Sequence, residues 1–246
     1  MTSARRAASD LHPATRGFEL AADAYERGRP AYPAAAIDWL VERLDLRPGR
    51  TVLDLGAGTG KLTRLLVPTG AEVIAVEPIE EMRAKIEGAR VLAGTAEAIA
   101  LGDASVDAVT VAQAFHWFKP EEALAEIHRV LRPGGALALM WNVRDERDPL
   151  QAAVSAIMAR LEGEVPRRYR RDWGQVIDAT ETATFDHEQV VDEDAFVERF
   201  TSVSFVAAAP ADERAEIEAE LRALVHEVRQ PIRLPYVTEI YLARKS

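Results

Sequence analysis

The sequence contains no cysteine in its 246 residues. This absence excludes disulfide bonds, thiolate zinc sites and a cysteine nucleophile, and it is typical of a reducing compartment. The chain also lacks both an apolar stretch of signal-peptide character near its start and a run of the roughly eighteen apolar residues that a membrane helix needs. We therefore expect a soluble, cytoplasmic protein with no membrane partner.

Basic residues are fewer than acidic residues in this chain. The chain has 30 Lys and Arg residues against 40 Asp and Glu residues, a net charge of -10. Such a surface repels phosphate backbones, so we expect no nucleic-acid partner. Zinc-ligand spacing, a GxSxG elbow and a Walker GxxxxGK[ST] loop are also missing, which argues against a metal site, an esterase and a kinase.

The length favours one domain with an elaboration over two equal domains. Residues 1–17 have no clear periodicity, and we expect a mobile tail there. Residues 18–246 are predicted to form a single domain, with a core at 18–142 and a C-terminal part at 143–246 that adds cap helices and the last strands. Pro30 and Pro33 should divide the start of the core into two short helices.

Buried strands alternate with helices through the core. Strands are predicted at about 52–55, 73–76, 90–93, 108–112 and 136–141, with helices that include 79–87 and one that begins at Pro120. In the C-terminal part we expect helices at about 149–162 and 211–228, a strand at 185–191 and a terminal strand containing Tyr236. This order predicts an α/β fold with a doubly wound, mostly parallel, seven-stranded sheet, N-terminal helices and a C-terminal helical elaboration.

The most informative segment is TVLDLGAGTGKLT at 51–63. An apolar strand leads into three glycines at alternate positions, and helical spacing of leucines follows. We expect such a turn at a helix start to favour a polar or anionic group of a nucleotide-like ligand. The dinucleotide fingerprint GxGxxG would need a glycine at position 61, where this chain has Lys61.

Several motifs together carry a family resemblance. DLGAGTG, AVEP, GTAEAI, AQAFHWF and LRPGG follow one another in the order found in class I S-adenosylmethionine-dependent methyltransferases. The segments YERGRPAYP and AFHWF resemble a small-molecule branch of the Methyltransf_11 type, similar to trans-aconitate methyltransferases. The resemblance covers residues 20–142 firmly and the C-terminal third loosely.

The resemblance implies S-adenosyl-L-methionine as cofactor and S-adenosyl-L-homocysteine as product. Glu77 would accept both ribose hydroxyls, Glu97 would lie near the adenine amino group, and Arg29 would face the methionine carboxylate. Carried over residue by residue, the implied cofactor site comprises Tyr25, Arg29, Asp54, Gly56, Ala57, Gly58, Thr59, Gly60, Glu77, Pro78, Met82, Thr95, Ala96, Glu97, Gln113, Ala114, Phe115 and His116.

For several residues the sequence leaves two roles open, one at the methyl acceptor or cofactor and one in the packing of the fold. His116 could act as a general base or only shape the pocket through a hydrogen bond. Trp117, Trp141, Asn142 and Tyr236 could line an acceptor pocket, and the aromatic members could equally belong to the core. Among the cofactor residues, Met82 could pack in the core and Glu97 could be a helix N-terminal acid.

The leading hypothesis is a methyltransferase that acts on an O, N or C atom of a small organic molecule, as a monomer or homodimer. The alternatives are a non-catalytic S-adenosylmethionine-binding or regulatory protein and an NAD(P)-dependent oxidoreductase. Lys61 counts against the oxidoreductase, because it occupies the position of the third glycine in the dinucleotide fingerprint.

Overall fold

The computed structural model describes residues 28–162, 172–226 and 228–246. The tail expected at 1–17, Tyr25 and the first of the two N-terminal helices lie outside these residues. Within them, no helix combines the length and the apolar character needed to cross a membrane.

Strands and helices alternate along the described chain. The strands are β1 (Thr51–Leu55), β2 (Glu72–Val76), β3 (Arg90–Leu92), β4 (Val106–Ala112), β5 (Leu131–Arg144), β6 (Glu181–Val191) and β7 (Ile232–Arg244). The helices are α1 (Ala34–Leu44), α2 (Thr63–Leu66), α3 (Glu80–Arg83), α4 (Pro120–Val130), α5 (Pro149–Glu162), α6 (Trp173–Val176), α7 (Glu193–Thr201), α8 (Ser204–Ala207) and α9 (Ala211–Val225).

One sheet contains all seven of these strands, in the order β3-β2-β1-β4-β5-β7-β6. The pairs from β3 to β5 are parallel, whereas β7 runs antiparallel to both β5 and β6. The predicted α/β fold with a mostly parallel, seven-stranded sheet is confirmed. The strand order reverses between β1 and β4, and ligands of doubly wound sheets bind beyond the carboxyl ends of the strands at such a point.

Side chains of β5 show how both faces of the sheet are covered. Leu137 and Leu139 pack in a core cluster with α4, whereas Ala138 and Met140 point to the other face and pack in a cluster with α1. A third cluster joins α5, α7 and α9 to the start of β7. This third cluster adjoins the end of the sheet where the parallel strands terminate.

The two helices that follow β1 and β2 are shorter than predicted. Helical spacing of leucines after the glycine turn gives only the four residues of α2, and Leu65 is 37% exposed. The helix expected over 79–87 ends at Arg83, and Ile86 instead packs against the backbone of Gly60.

Three further elements differ from their predicted bounds. β5 begins at Leu131, because this residue already pairs with Val106 where α4 ends. β6 begins at Glu181, four residues before the predicted start, and pairs with β7 along its whole length. The last long helix, α9, ends at Val225 instead of continuing to about 228.

Candidate functional site

A cavity of about 450 Å³ opens beyond the carboxyl ends of β1, β2, β4 and β5. This volume falls within the roughly 300–1,000 Å³ of typical small-molecule sites. Its wall includes the following residues that the sequence predicted for a site: Arg29, Asp54, Gly56, Ala57, Gly58, Thr59, Glu77, Pro78, Met82, Thr95, Ala96, Glu97, Gln113, Ala114, Trp117 and Asn142. The structure therefore brings most of the predicted site to one place.

The glycine turn lines the cavity with backbone. Gly56 and Gly58 have φ angles of 71° and 58°, the left-handed region that favours glycine. A Cβ atom at Gly56 would lie 2.8 Å from the Cβ of Ala114, so only glycine fits there. A Cβ at Gly58 would meet nothing within 4 Å, because this position faces open space.

Asp54 ends its strand with a buried carboxylate that is 1% exposed. The Thr63 hydroxyl donates to its Oδ2 at 2.6 Å, and the Thr110 hydroxyl lies 3.3 Å from its Oδ1. Burial raises the pKa of Asp54 to about 6, although these hydroxyl hydrogen bonds oppose the shift. Through these contacts the carboxyl group connects β1 to the start of α2 and to β4.

Glu77 lies just beyond the end of β2 and is also buried, with 5% of its surface exposed. The backbone amide of Gly58 donates to Oε2 and that of Ile79 donates to Oε1, both at 2.9 Å. Burial raises the pKa of Glu77, while the two amides and Arg83 act in the opposite direction. A carboxylate held at both oxygens by backbone amides is a fixed acceptor at the cavity wall.

The segment after β3 reaches the cavity through Thr95, Ala96 and Glu97. The Glu97 carboxylate accepts a hydrogen bond from the backbone amide of Lys119 at 2.9 Å, at the start of α4. Glu97 thus caps the helix that follows β4, close to the helix-terminal alternative raised from the sequence. This hydrogen bond occupies only Oε1 of Glu97, and the residue also lines the cavity.

The segment after β4 divides between the cavity and the core. Gln113 and Ala114 line the cavity, and Gln113 holds a left-handed φ of 58° while its side-chain amide lies 3.5 Å from the carbonyl of Asn142. Phe115 is completely buried in the core. The ring of His116 contacts that of Trp117, with centroids 4.7 Å apart and the ring planes tilted by 43°, and His116 is not on the cavity wall.

Two residues predicted for the acceptor pocket belong to the core instead. Trp141 is 3% exposed and stacks on Trp173, with ring centroids 4.9 Å apart. Tyr236 is 1% exposed and packs in the cluster formed by α5, α7 and α9. The structure brings neither side chain to the cavity, because α6 covers Trp141 and the helices α5, α7 and α9 cover Tyr236.

Asn142 and the segment before α1 close one side of the cavity. The Asn142 side-chain amide donates to the carbonyl of Ala31 at 3.2 Å, and its oxygen accepts from the Thr238 hydroxyl at 2.6 Å. The Lys61 ammonium donates to the carbonyl of Arg29 at 2.5 Å. These bonds fix residues 29–31 across the opening, with Arg29 on the wall.

Comparison with known proteins decides the family. A family model described as a methyltransferase domain matches residues 53–139. An uncharacterised methyltransferase of Mycobacterium tuberculosis is 43% identical over 230 residues, which are 90% of this chain and 92% of the relative. The chain belongs to the class I methyltransferases. The resemblance stated from the sequence motifs is confirmed.

Solved structures of methyltransferases share the fold. One from Anaeromyxobacter dehalogenans, provisionally named a type II methyltransferase, is 29% identical with a TM-score of 0.64, over 88% of this chain and 97% of that one. A phosphoethanolamine N-methyltransferase of Haemonchus contortus, solved with S-adenosylhomocysteine, has a TM-score of 0.54 at 14% identity. The match covers 92% of this methyltransferase and 57% of that chain, and it shows the fold alone.

Sequence reasoning missed several cavity residues of this methyltransferase. Tyr32, Lys61 and Lys119 line the cavity from loops whose pattern carries no signal for a site. Arg199 lines it from α7, and here a signal existed. Arg199 follows Phe196 by three positions, so a charged side chain falls on the apolar face of an amphipathic helix.

Proposed function

We propose that this methyltransferase uses S-adenosyl-L-methionine to methylate an O, N or C atom of a small organic acceptor. The observation that carries the proposal is the Glu77 carboxylate, which two backbone amides hold at the wall of the cavity beside the glycine turn. An ionised carboxylate has about four acceptor positions. The amides use two of these, and two remain for a pair of vicinal hydroxyls such as those of a ribose.

The other residues of the wall suit the remaining parts of the cofactor. The open space at Gly58 admits a ligand close to backbone, and Met82 and Trp117 offer apolar surface for an adenine ring. Thr95, Ala96 and Glu97 supply backbone groups and a carboxylate for the adenine amino group. Arg29 is the residue proposed for the methionine carboxylate.

When bound, the cofactor supplies a methyl group on a sulfonium sulfur, which an acceptor atom takes by in-line displacement while the sulfur keeps the electron pair of the broken bond. An acceptor O–H or N–H would release its proton to water. The chain itself would contribute mainly position, since orientation of the reactants supplies a large share of the rate in such reactions. Gln113, Ala114 and Asn142 form the part of the wall proposed to face the acceptor.

A small acceptor suits both the cavity and the charge of the chain. A cavity of about 450 Å³ lies in the size range of sites that hold small molecules. A net charge of -10 disfavours a nucleic-acid substrate. We propose a cytoplasmic enzyme that works as a monomer or homodimer.

Calorimetric titration tests the cofactor. We expect S-adenosylhomocysteine to bind with 1:1 stoichiometry and NAD not to bind, because Lys61 occupies the position of the third glycine in the dinucleotide fingerprint. Binding of NAD alone would overturn the proposal.

A further inference from the structure

Arg199 is a buried positive charge at the cavity. The residue is 4% exposed, and it belongs to the cavity wall. Its Nε and Nη1 atoms are buried and have no hydrogen-bond partner in the part of the chain that the structure describes. Because a guanidinium stays charged in proteins and is costly to bury alone, this arrangement calls for a partner.

The acidic residues of the cavity wall are engaged elsewhere. Asp54 accepts from Thr63, Glu77 accepts from two backbone amides, and Glu97 accepts from the amide of Lys119. Glu122, the fourth acid of the wall, lies 3.8 Å from the Lys119 ammonium. No ion pair with Arg199 occurs among the described residues. The ring of Phe200 lies 5.1 Å from the guanidinium carbon and favours its charge, but a ring does not satisfy N–H donors.

The packing holds Arg199 in place. A Cβ on Gly28 would come within 3.0 Å of the Cα of Arg199, so the segment before α1 passes directly over the helix. Gln189 of β6 donates to the carbonyl of Gly28 at 3.1 Å and ties this crossing to the sheet. α7 itself packs on β6 and α9. The guanidinium is therefore presented by rigid elements.

The position of Arg199 separates it from the proposed adenosine side. Glu77 follows β2, whereas α7 packs on β6, at the opposite edge of the sheet order β3-β2-β1-β4-β5-β7-β6. Arg199 thus approaches the cavity from the side of β5 and β7, where Asn142 also lies. Gly28, the neighbour of the Arg29 proposed for the methionine carboxylate, also crosses this side, so the acceptor would meet the methionine end of the cofactor here.

We infer that Arg199 binds an oxyanion group of the methyl acceptor, so that the acceptor of this enzyme is a small organic anion carrying a carboxylate or a phosphate. The inference rests on the proposed function, because it takes the cofactor to fill the part of the cavity next to Glu77. A guanidinium suits planar oxyanions, and the bound anion would supply the charge and the hydrogen-bond acceptors that Arg199 lacks.

Anion binding to protein saturated with S-adenosylhomocysteine provides the test. Succinate and citrate probe the carboxylate source, glycerol 3-phosphate probes the phosphate source, and succinamide is the neutral match, each titrated by calorimetry. We expect at least one anion to bind and succinamide not to bind. Arg199→Met should weaken that anion by about tenfold or more, as expected for hydrogen bonds to a charged group. Arg199→Lys should bind it with intermediate affinity.

Arg233→Met is the matched control, because Arg233 is an exposed arginine of β7 that pairs with Glu188 at 2.8 Å. It should leave anion binding unchanged. Affinity for S-adenosylhomocysteine should be the same in all variants, and Arg199→Met should not lower the melting temperature, since it removes a charge that has no partner within the described chain.

Several results would overturn the inference: no oxyanion binds, the anion binds Arg199→Met as well as wild type, or succinamide binds equally well. Loss of S-adenosylhomocysteine affinity in Arg199→Met would instead assign Arg199 to the cofactor, and a lowered melting temperature with unchanged anion binding would make it structural. The anion titrations are repeated without S-adenosylhomocysteine. If S-adenosylhomocysteine does not bind, that result counts against the proposed function alone. The titrations without it still show whether Arg199 binds the anion.

Discussion

At the scale of single residues, Glu77 carries most of the proposed recognition. Its carboxylate is buried, and the amides of Gly58 and Ile79 fix both oxygens before any ligand arrives. The same contacts stabilise the glycine turn, because one of the donors belongs to that turn. Ligand binding and loop geometry are therefore coupled through one side chain.

Replacing Glu77 tests this coupling. We expect Glu77→Ala to weaken S-adenosylhomocysteine binding by about 1.5 to 3 kcal/mol, the usual range for hydrogen bonds to a charged group. Glu81→Ala removes an exposed acid four residues further on and serves as the control in calorimetry. Equal affinities of the two variants would remove Glu77 from the site.

Asp54 makes the stability of the ligand-free protein depend on pH. Burial raises its pKa from 3.8 to about 6, so between these pH values the folded state binds more protons at this group than the unfolded state. The stability that the protonated carboxyl contributes is then lost as pH rises, by about 3 kcal/mol in all.

Comparison with Asp54→Asn isolates the contribution of this one group. Urea denaturation at pH 4 and pH 7 should show the variant gaining stability relative to wild type at the higher pH, by up to about 3 kcal/mol. A difference in the free energy of unfolding that does not change with pH would contradict the assignment.

His116 was a candidate base from the sequence, and its role stays a prediction. A general base must reach the proton that it removes, whereas this ring packs at a tilt against Trp117 and is not part of the cavity wall. We now expect His116→Ala to lower kcat by less than about tenfold, well below the 10²–10⁴ that loss of a general base costs. A loss of about a hundredfold or more, with unchanged S-adenosylhomocysteine affinity, would restore the base role.

At the scale of elements, the glycine turn contains two positions with different demands. Gly56 and Gly58 are both left-handed, but only Gly56 is packed against side chains, with Ala114 and Phe118 next to it. Gly58 instead borders the open cavity. A residue with a side chain would be strained by the left-handed backbone at both positions, and it would overlap its neighbours only at position 56.

Alanine at each position should separate stability from binding. Gly56→Ala should lower the free energy of unfolding by about 1–3 kcal/mol more than Gly58→Ala, because overpacking adds to the common strain. Gly58→Ala should mainly weaken S-adenosylhomocysteine binding, since its methyl group enters the cavity. Equal unfolding free energies in urea denaturation would contradict this division.

Prediction from the sequence was most accurate for helices and strands whose bounds depend on their own residues. The strand before Asp54 is buried on both faces and reads as an apolar run, and α4 begins at Pro120 as expected. The positions of Trp141 and Tyr236 depend on which helices cover them, and a local pattern does not contain that information. Arg199 could have been noticed on the apolar face of α7, but its cavity exists only after the chain folds.

At the scale of the whole molecule, the strand order brings distant segments to one cavity. The glycine turn, Glu77 and Gln113 meet at the switch point between β1 and β4. Arg199 of α7 reaches the same cavity from the other side. Membership of the class I methyltransferases follows from relatives that match nearly the full length of the chain. The side proposed for the cofactor comes from the first half of the chain, and α7 adds Arg199, which we propose for the acceptor, from the last third.

Transfer of a labelled methyl group tests the central claim most directly. The protein is incubated with S-adenosylmethionine labelled in the methyl group and a panel of small organic acids, phosphate esters, amines and alcohols, beside Glu77→Ala. We predict label in a small product, with a rate that Glu77→Ala reduces by about tenfold or more at limiting cofactor, in proportion to the weakened binding. Binding of S-adenosylhomocysteine without transfer to any member of the panel would contradict the account.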